Sequence, residues 1–386
     1  MEIPPAAAGR RREAFPMLEC YTTEPAHSML RDQILTAVAR VLDSNRLVLG
    51  EEVAAFEREY AAYCGTSECI GVGSGTDALY LALRALEIGL GDEVIVPAQT
   101  FVATALAVTR TGATPRFADI DCHHWTLDVE SARQAVTERT RALIAVHLYG
   151  LPCDMDPLLN LAAAHRLALI EDNAQATGAT FRDCRTGSLG VLAAHSFYPT
   201  KNLGCCGDGG AITTDRANLA DRIRRLRNYG FAKPSWSVEP GINSRLDEIQ
   251  AAILRVKLPH VDDWNRERRA LSTIYREQLT GVGDVQVQAT RPEAIEAPHL
   301  FVITSQRRSM LEAHLAQHGI RPLRHYSSTV PAQPAFHDAG SYPHAEWLAR
   351  SCLSLPLYPG LKPHDVKQVC EVIRQFYGTA MLSRDR

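Results

Sequence analysis

The side chains in this 386-residue chain that could do chemistry are a lysine, an aspartate, a hydroxyl-bearing glycine turn and an aromatic ring. The lysine is Lys201, in SFYPTKNLG (196–204). Lysine ordinarily seeks water, and a surface position would account for it. Its neighbours Phe197, Tyr198, Pro199 and Leu203 argue instead for an apolar pocket. Burial there would lower the amine pKa and make it a nucleophile toward a carbonyl. Asp172, in LALIEDNAQATGA, follows a strand at the end where open α/β sheets place ligands. Taken alone, it reads more readily as a loop cap. Gln175 lies three residues on and could share its site. GVGSGT (71–76) follows a strand and opens a helix, where backbone N–H groups and the helix dipole bind anions. A dinucleotide fingerprint would need glycine where Thr76 stands, and no Gly-Lys-Ser/Thr follows. The Thr76 hydroxyl and the free N–H groups make a cup for one phosphate monoester, with Ser196 as a further anion ligand. Phe101, in PAQTFVAT, is either a core residue or a platform for a flat ligand. None of these decides alone. Together, a phosphate cup, an aromatic face, a carboxylate and a Schiff-base lysine are what pyridoxal 5′-phosphate needs. The carboxylate keeps the ring nitrogen protonated and the lysine holds the aldehyde.

The elements that must position these residues follow an alternating pattern. Val53, Phe56, Tyr60 and Tyr63 recur at helical spacing, as do Leu79, Leu83 and Leu86. DEVIVP, TPRFADID, ALIAVHLYG, LALIEDN, LAAHSFY and GGAITTD read as strands. Helices are expected between them, one over TFVATALAVTRTG closed by Gly112 and one around 128–138. Strands spaced by helices imply a mostly parallel sheet covered on both faces. After about residue 215 come two long helical stretches, the second interrupted by Pro259. A strand at HLFVITS, a helix near 308–318 and a final helix from about 364 suggest a smaller α+β domain. The expected organisation is a leader over 1–17, a large domain over 18–262 and a small domain over 263–386.

Composition narrows the class. Hydrophobic residues are 46% and charged residues 22%, an ordinary globular balance. A net charge of −3 gives no global basic field for nucleic acid. No apolar run is long enough to span a bilayer, and no apolar segment follows Arg10–Arg12 to make a secretory signal. The ten cysteines form no C-x-x-C pair and read as separate thiols in a reducing cytoplasm. Cys122–His124 is the one metal-like cluster, and a solvated loop accounts for it, so no metal is expected.

GSGTDAL (73–79), PAQTFVATA (97–105), HLYGLPCDM (147–155), EDNAQATGA (171–179), SFYPTKNLGCCGDGGAI (196–212) and GINSRLDEIQAAIL (241–254) occur in this order. In that combination the chain resembles the DegT/DnrJ/EryC1/StrS sugar aminotransferases, within the fold-type I pyridoxal-phosphate enzymes, from about residue 18 to 380. The resemblance implies a three-layer α/β/α large domain with a smaller C-terminal α+β domain. It implies that Lys201 holds the cofactor and moves protons, that Asp172 pairs with the ring nitrogen, and that Gln175 contacts the ring's phenolic oxygen. Gly75, Thr76 and Ser196 would bind the phosphate and Phe101 would lie against the ring. Asn243 would reach the phosphate from the other subunit of a homodimer. His325 and Tyr326, in RPLRHYSSTVPAQPAF, would face the sugar or simply pack the small domain. The implied reaction moves an amino group from an amino acid, L-glutamate being the expected donor, to a keto sugar on a nucleoside diphosphate. Position C3 is favoured by the stretch after the lysine. Alternatives are amination of a cyclitol ketone, an aminodehydroquinate-type cyclase-aromatase, or a catalytically silent cofactor-binding regulator. Retention of lysine where some relatives carry histidine and act as dehydratases favours transamination.

Overall fold

The computed structural model describes residues 17–336 and 338–382. Of the expected leader, residues 1–16 lie outside the described residues. Seven strands make the central sheet: β1 (Glu68–Val72), β2 (Glu93–Pro97), β3 (Thr114–Ala118), β4 (Thr140–Val146), β5 (Ala168–Asp172), β6 (Leu192–Ser196) and β7 (Gly210–Thr214). Their order is β1-β7-β6-β5-β4-β2-β3. β7 runs antiparallel to β1 and β6, and every other neighbouring pair is parallel. Helices α1 (Glu24–Ser44), α2 (Glu51–Cys64), α3 (Gly75–Ala85), α4 (Ala103–Arg110), α5 (Val129–Gln134), α6 (Met155–His165), α7 (Ala217–Leu226), α8 (Glu248–Lys257) and α9 (Val261–Leu279) accompany it.

Strand alternation sorts the core into two sides. Ile70, Val94, Val96, Ile144, Ile170 and Ile212 pack with residues of α3, α4 and α7. Their neighbours point the other way. Cys69 and Ala211 meet α2 and α8 through Phe56, Tyr60, Ala251 and Leu254. Ile95, Leu143 and Leu169 meet α5 and α6 through Ala132, Leu158 and Leu161. Both faces being covered is why these strands read as continuous apolar runs. Each fully buried Ile or Val contributes about 1.5–3 kcal/mol. The fold is thus the expected three-layer α/β/α arrangement with a mostly parallel sheet.

The C-terminal part carries a three-stranded antiparallel sheet of β8 (Gln286–Val287), β9 (Phe301–Thr304) and β10 (Cys352–Leu355), with α10 (Arg308–Gln317), α11 (Pro343–Ser351) and α12 (Pro363–Leu382). At Pro259 the expected interruption is a single turn of 3₁₀ helix, Leu258–His260, between α8 and α9. The helix expected around 128–138 is shorter, because α5 stops at Gln134. The start of the described chain joins the far end of the sequence. Leu18–Glu19 pairs parallel to Ile320–Arg321, and the Leu357 N–H donates to the Cys20 carbonyl at 3.0 Å.

Candidate active site

Lys201 stands on the loop that links β6 to its antiparallel neighbour β7. Both ends of that loop are fixed: Ser196 pairs with Gly210, and the Phe197 N–H donates to the Gly209 carbonyl at 2.8 Å. Within it, the Lys201 N–H reaches the Tyr198 carbonyl and the Cys205 N–H reaches the Phe197 carbonyl, both at 2.8 Å. Phe197, Leu203 and Cys205 anchor the loop in the core, so the backbone under Lys201 is held while its side chain faces a cavity. Burial pushes the amine down to about 8, opposed by the Asp172 charge. That places part of the population in the nucleophilic free-base form near neutral pH.

Asp172 ends β5, next to β6 in the sheet, and so comes beside the lysine loop. Burial raises its carboxyl pKa; hydrogen bonds and the Lys201 charge act against this. The hydrogen bonds come from the Thr104 hydroxyl to Oδ2 at 2.9 Å and from the Ala174 N–H to Oδ1 at 3.2 Å. Beneath it, Glu171 and His147 form a fully buried pair at 2.9 Å. Glu171 also accepts from the N–H groups of Gly187, Leu189 and Gly190.

The anion cup forms where α3 begins. Ser74 caps the helix by accepting from the Asp77 N–H at 3.1 Å, which leaves the N–H groups of Gly75 and Thr76 at its open end. A Cβ on Gly75 would lie 2.7 Å from the Ser196 Cβ, and one on Gly210 would lie 2.4 Å from the Ser74 carbonyl carbon. Only bare backbone lets the strand ends come this close to the helix. Ser196 thereby lines the same opening as Gly75 and Thr76.

Gln175 is buried, accepts from the Tyr149 N–H at 2.8 Å and donates to the Tyr326 hydroxyl at 3.0 Å. Tyr326 in turn packs against Phe101, with ring centroids 5.5 Å apart. Phe101 itself is 52% exposed, so an open aromatic face is presented, not a core ring. His325 lines the cavity with Lys201; burial and the Lys201 charge hold its imidazole down at about 4. Its Nδ1 is 2.8 Å from the Ser354 hydroxyl, and its carbonyl accepts from the Tyr149 hydroxyl. Nine of the ten residues read from the sequence therefore gather at adjoining positions. Asn243 does not join them within one chain. Its side chain is exposed and its backbone pairs with Asn228, whereas the next residue, Ser244, accepts from the Gly73 N–H at 3.0 Å.

Thr104, Tyr149, Arg268 and His299 belong to the same region and were not read from the sequence. Thr104 lies in the PAQTFVATA stretch already noted, three residues past Phe101. Arg268 sits in an arginine-rich helical run in which sequence gives no means of telling a buried arginine from a solvated one. Among the described residues no group of three or more His, Cys, Asp or Glu side chains is arranged to hold a metal ion. His124 instead pairs with Asp121 at 2.8 Å.

With this geometry in place, comparison with known proteins is direct. The profile of the DegT/DnrJ/EryC1/StrS aminotransferase family matches residues 28–374. The chain belongs to the DegT/DnrJ/EryC1/StrS aminotransferase family. This aminotransferase is 47% identical over 369 residues to the dTDP-3-amino-3,4,6-trideoxy-α-D-glucose transaminase of Streptomyces venezuelae, covering 95% of this chain and 97% of that one. It is 43% identical over 348 residues to the UDP-N-acetyl-3-dehydro-α-D-glucosamine 3-aminotransferase of Acidithiobacillus ferrooxidans, covering 90% and 94%. Among solved structures, S. venezuelae DesV in complex with a ketimine intermediate matches with a TM-score of 0.92 at 47% identity, over 94% of this chain and 99% of that one.

Proposed function

We propose that this aminotransferase binds pyridoxal 5′-phosphate and moves an amino group from L-glutamate to C3 of a keto sugar carried on a nucleoside diphosphate. The observation that carries the reading is a lysine of lowered pKa beside a buried carboxylate, on a loop that begins at Ser196, which itself packs against the anion cup at the start of α3. Three features fit the cofactor: the bare backbones of Gly75 and Gly210 bring Ser196 up against the start of α3, Phe101 offers an open ring face, and Asp172 is the carboxylate whose charge acts on Lys201. Gly75, Thr76 and Ser196 would hold the phosphate, Asp172 the ring nitrogen, and Gln175 the phenolic oxygen. When bound, the group supplies an electron sink for charge developing at the donor's α-carbon.

The chain's own residues supply the rest. Lys201, as a neutral amine, would act as the general base that takes the proton from the donor's α-carbon and as the general acid that gives one back. Asp172, whose ionised form accepts hydrogen bonds from Thr104 and the Ala174 N–H against the upward push of burial, would keep the ring nitrogen charged. Gln175 orients Tyr326 toward the same space, with His325 beside it. The position aminated rests on relatives whose names place the amine at position 3 on both dTDP and UDP sugars. We propose further that the enzyme works as a homodimer, with the partner's Asn243 completing each phosphate site. It would be cytoplasmic, with the division between large and small domains near residue 262. No helix among the described residues is long and apolar enough to cross a membrane. The deciding experiment incubates holoenzyme with glutamate and a panel of nucleotide-linked 3-keto and 4-keto sugars and a cyclitol ketone, and locates the new amine by NMR. An amine at C4 or on the cyclitol overturns the regiochemistry or the substrate class. No turnover with any donor overturns the enzymatic reading in favour of a silent regulator.

A further inference from the structure

The cavity that Lys201 lines is unbalanced in charge. Lys201, Lys257, Arg268, His27, His299 and His325 all contribute to its wall, and among the described residues no aspartate or glutamate does. Arg268 stands out among these. It is 6% exposed, yet its Nη1 makes only two long contacts, to the Asn202 side-chain oxygen and the Pro298 carbonyl, both at 3.4 Å. Its Nε has no hydrogen-bond partner among the described residues. Burial holds even this guanidinium down to about 10. Two turns along the same helix, the less buried Arg276, whose Nε likewise lacks a partner among the described residues, meets Glu296 through two bonds of 2.6 and 2.8 Å, the carboxylate pairing that Arg268 does not show. His299 is the second unsatisfied group. It is 7% exposed, its Nδ1 has no partner among the described residues, and burial together with the charges of Lys201, Arg268 and His325 keeps it neutral. A neutral imidazole keeps one N–H to donate.

We infer that Arg268 and His299 form the subsite for the amino donor's α-carboxylate, with Asn202 steadying the guanidinium. The inference rests on the proposed transamination and adds where the donor is held. Its chemistry selects the donor over the acceptor. An amino acid carries a carboxylate on the very carbon whose amine is transferred, so an anion must sit next to Lys201. A nucleotide sugar carries its charge on the diphosphate, several atoms from the ring carbon that receives the amine. The planar guanidinium fork suits a carboxylate held by two bonds.

The test uses holoenzyme and maleate, a dicarboxylate with no amine to transfer. Calorimetric titration should show that Arg268→Gln weakens maleate binding by about tenfold or more, the loss expected when a charge-assisted pair is removed. Glutamate KM in the donor half-reaction should rise in parallel, and the keto-sugar KM should stay within about twofold. Arg268→Lys, which keeps the charge but not the fork, should fall between. Equal maleate affinity in wild type and Arg268→Gln, or equal loss toward glutamate and sugar, overturns the assignment. Should Arg268→Gln fail to fold, wild type and Arg268→Lys decide: competitive inhibition by maleate against glutamate, weakened in the lysine variant, supports the subsite, and any other pattern refutes it. Because calorimetry needs no sugar, an Arg268-dependent maleate affinity without sugar amination would remove only the reading of the acceptor.

Discussion

Thr104 offers the sharpest test of how the site keeps its carboxylate charged. Its hydroxyl donates to Asp172 Oδ2 at 2.9 Å in a fully buried position, and since that proton is committed, Thr104 must accept from Thr100, 2.9 Å away. Thr104→Val keeps the shape and removes the donor. Hydrogen bonds to charged groups contribute about 1.5–3 kcal/mol. At about 1.4 kcal/mol per pH unit, the ionised form of Asp172 loses the equivalent of roughly one to two units. The sign is upward: burial already raises this carboxyl and Thr104 is the largest force against it. The assay is the pH profile of the donor half-reaction, followed as glutamate bleaches the bound cofactor's visible absorbance. Its acid limb should move up by about one to two units in Thr104→Val and stay in place in Thr104→Ser, which keeps the hydroxyl. An unmoved limb in the valine variant, with wild-type cofactor content, would refute the claim that Thr104 holds the charge.

Gly75→Ala should weaken cofactor binding by at least about tenfold in a fluorescence titration and lower the unfolding temperature as well, because the added Cβ meets the Ser196 Cβ and backbone and must push the strand end away from the helix. Glu171→Gln should destabilise the fold by roughly 3–5 kcal/mol in urea at neutral pH, since an amide cannot accept from all of His147, Gly187, Leu189 and Gly190. Co-expressed Lys201→Ala and Asn243→Asp chains, each inactive alone, should recover activity as heterodimers, because one of the two sites then receives neither change. Verified heterodimers without activity would return Asn243 to a role in its own chain.

How much of this was readable in advance depended on how well local pattern tracks burial. The central strands were legible because both faces are covered and their residues are apolar throughout, as at Val94, Ile95 and Val96. Lys201, Asp172 and Thr76 were legible because they sit at strand ends and a helix start, which composition marks. Helix α1 was not read. Only Leu30, Ala37 and Val41 of its 21 residues are buried, while Met29, Leu35 and Leu42 face outward, so no clear apolar stripe appears. Arg268 and His299 were missed for a different reason: what marks them is missing partners, a property of three-dimensional packing that no residue spacing encodes. Asn243 was assigned from resemblance, and its place in a single chain leaves that assignment to the heterodimer test.

The strap between Leu18–Glu19 and Ile320–Arg321, with Cys20 bonded to Leu357, also governs when the enzyme can exist during its own synthesis. Tyr21, Thr22 and His27 leave the ribosome first, but the cavity they wall also needs His325, Leu357 and Tyr358. At about 5–20 residues per second, translation separates those two edges by roughly twenty seconds to a minute. The central sheet has all its strands by Thr214 and can assemble while the rest is being made. The donor cavity cannot. A chain broken off between Thr214 and Leu357 therefore holds every strand of the sheet and the lysine but lacks part of the pocket wall, so fragments left by interruption in that interval never close the pocket.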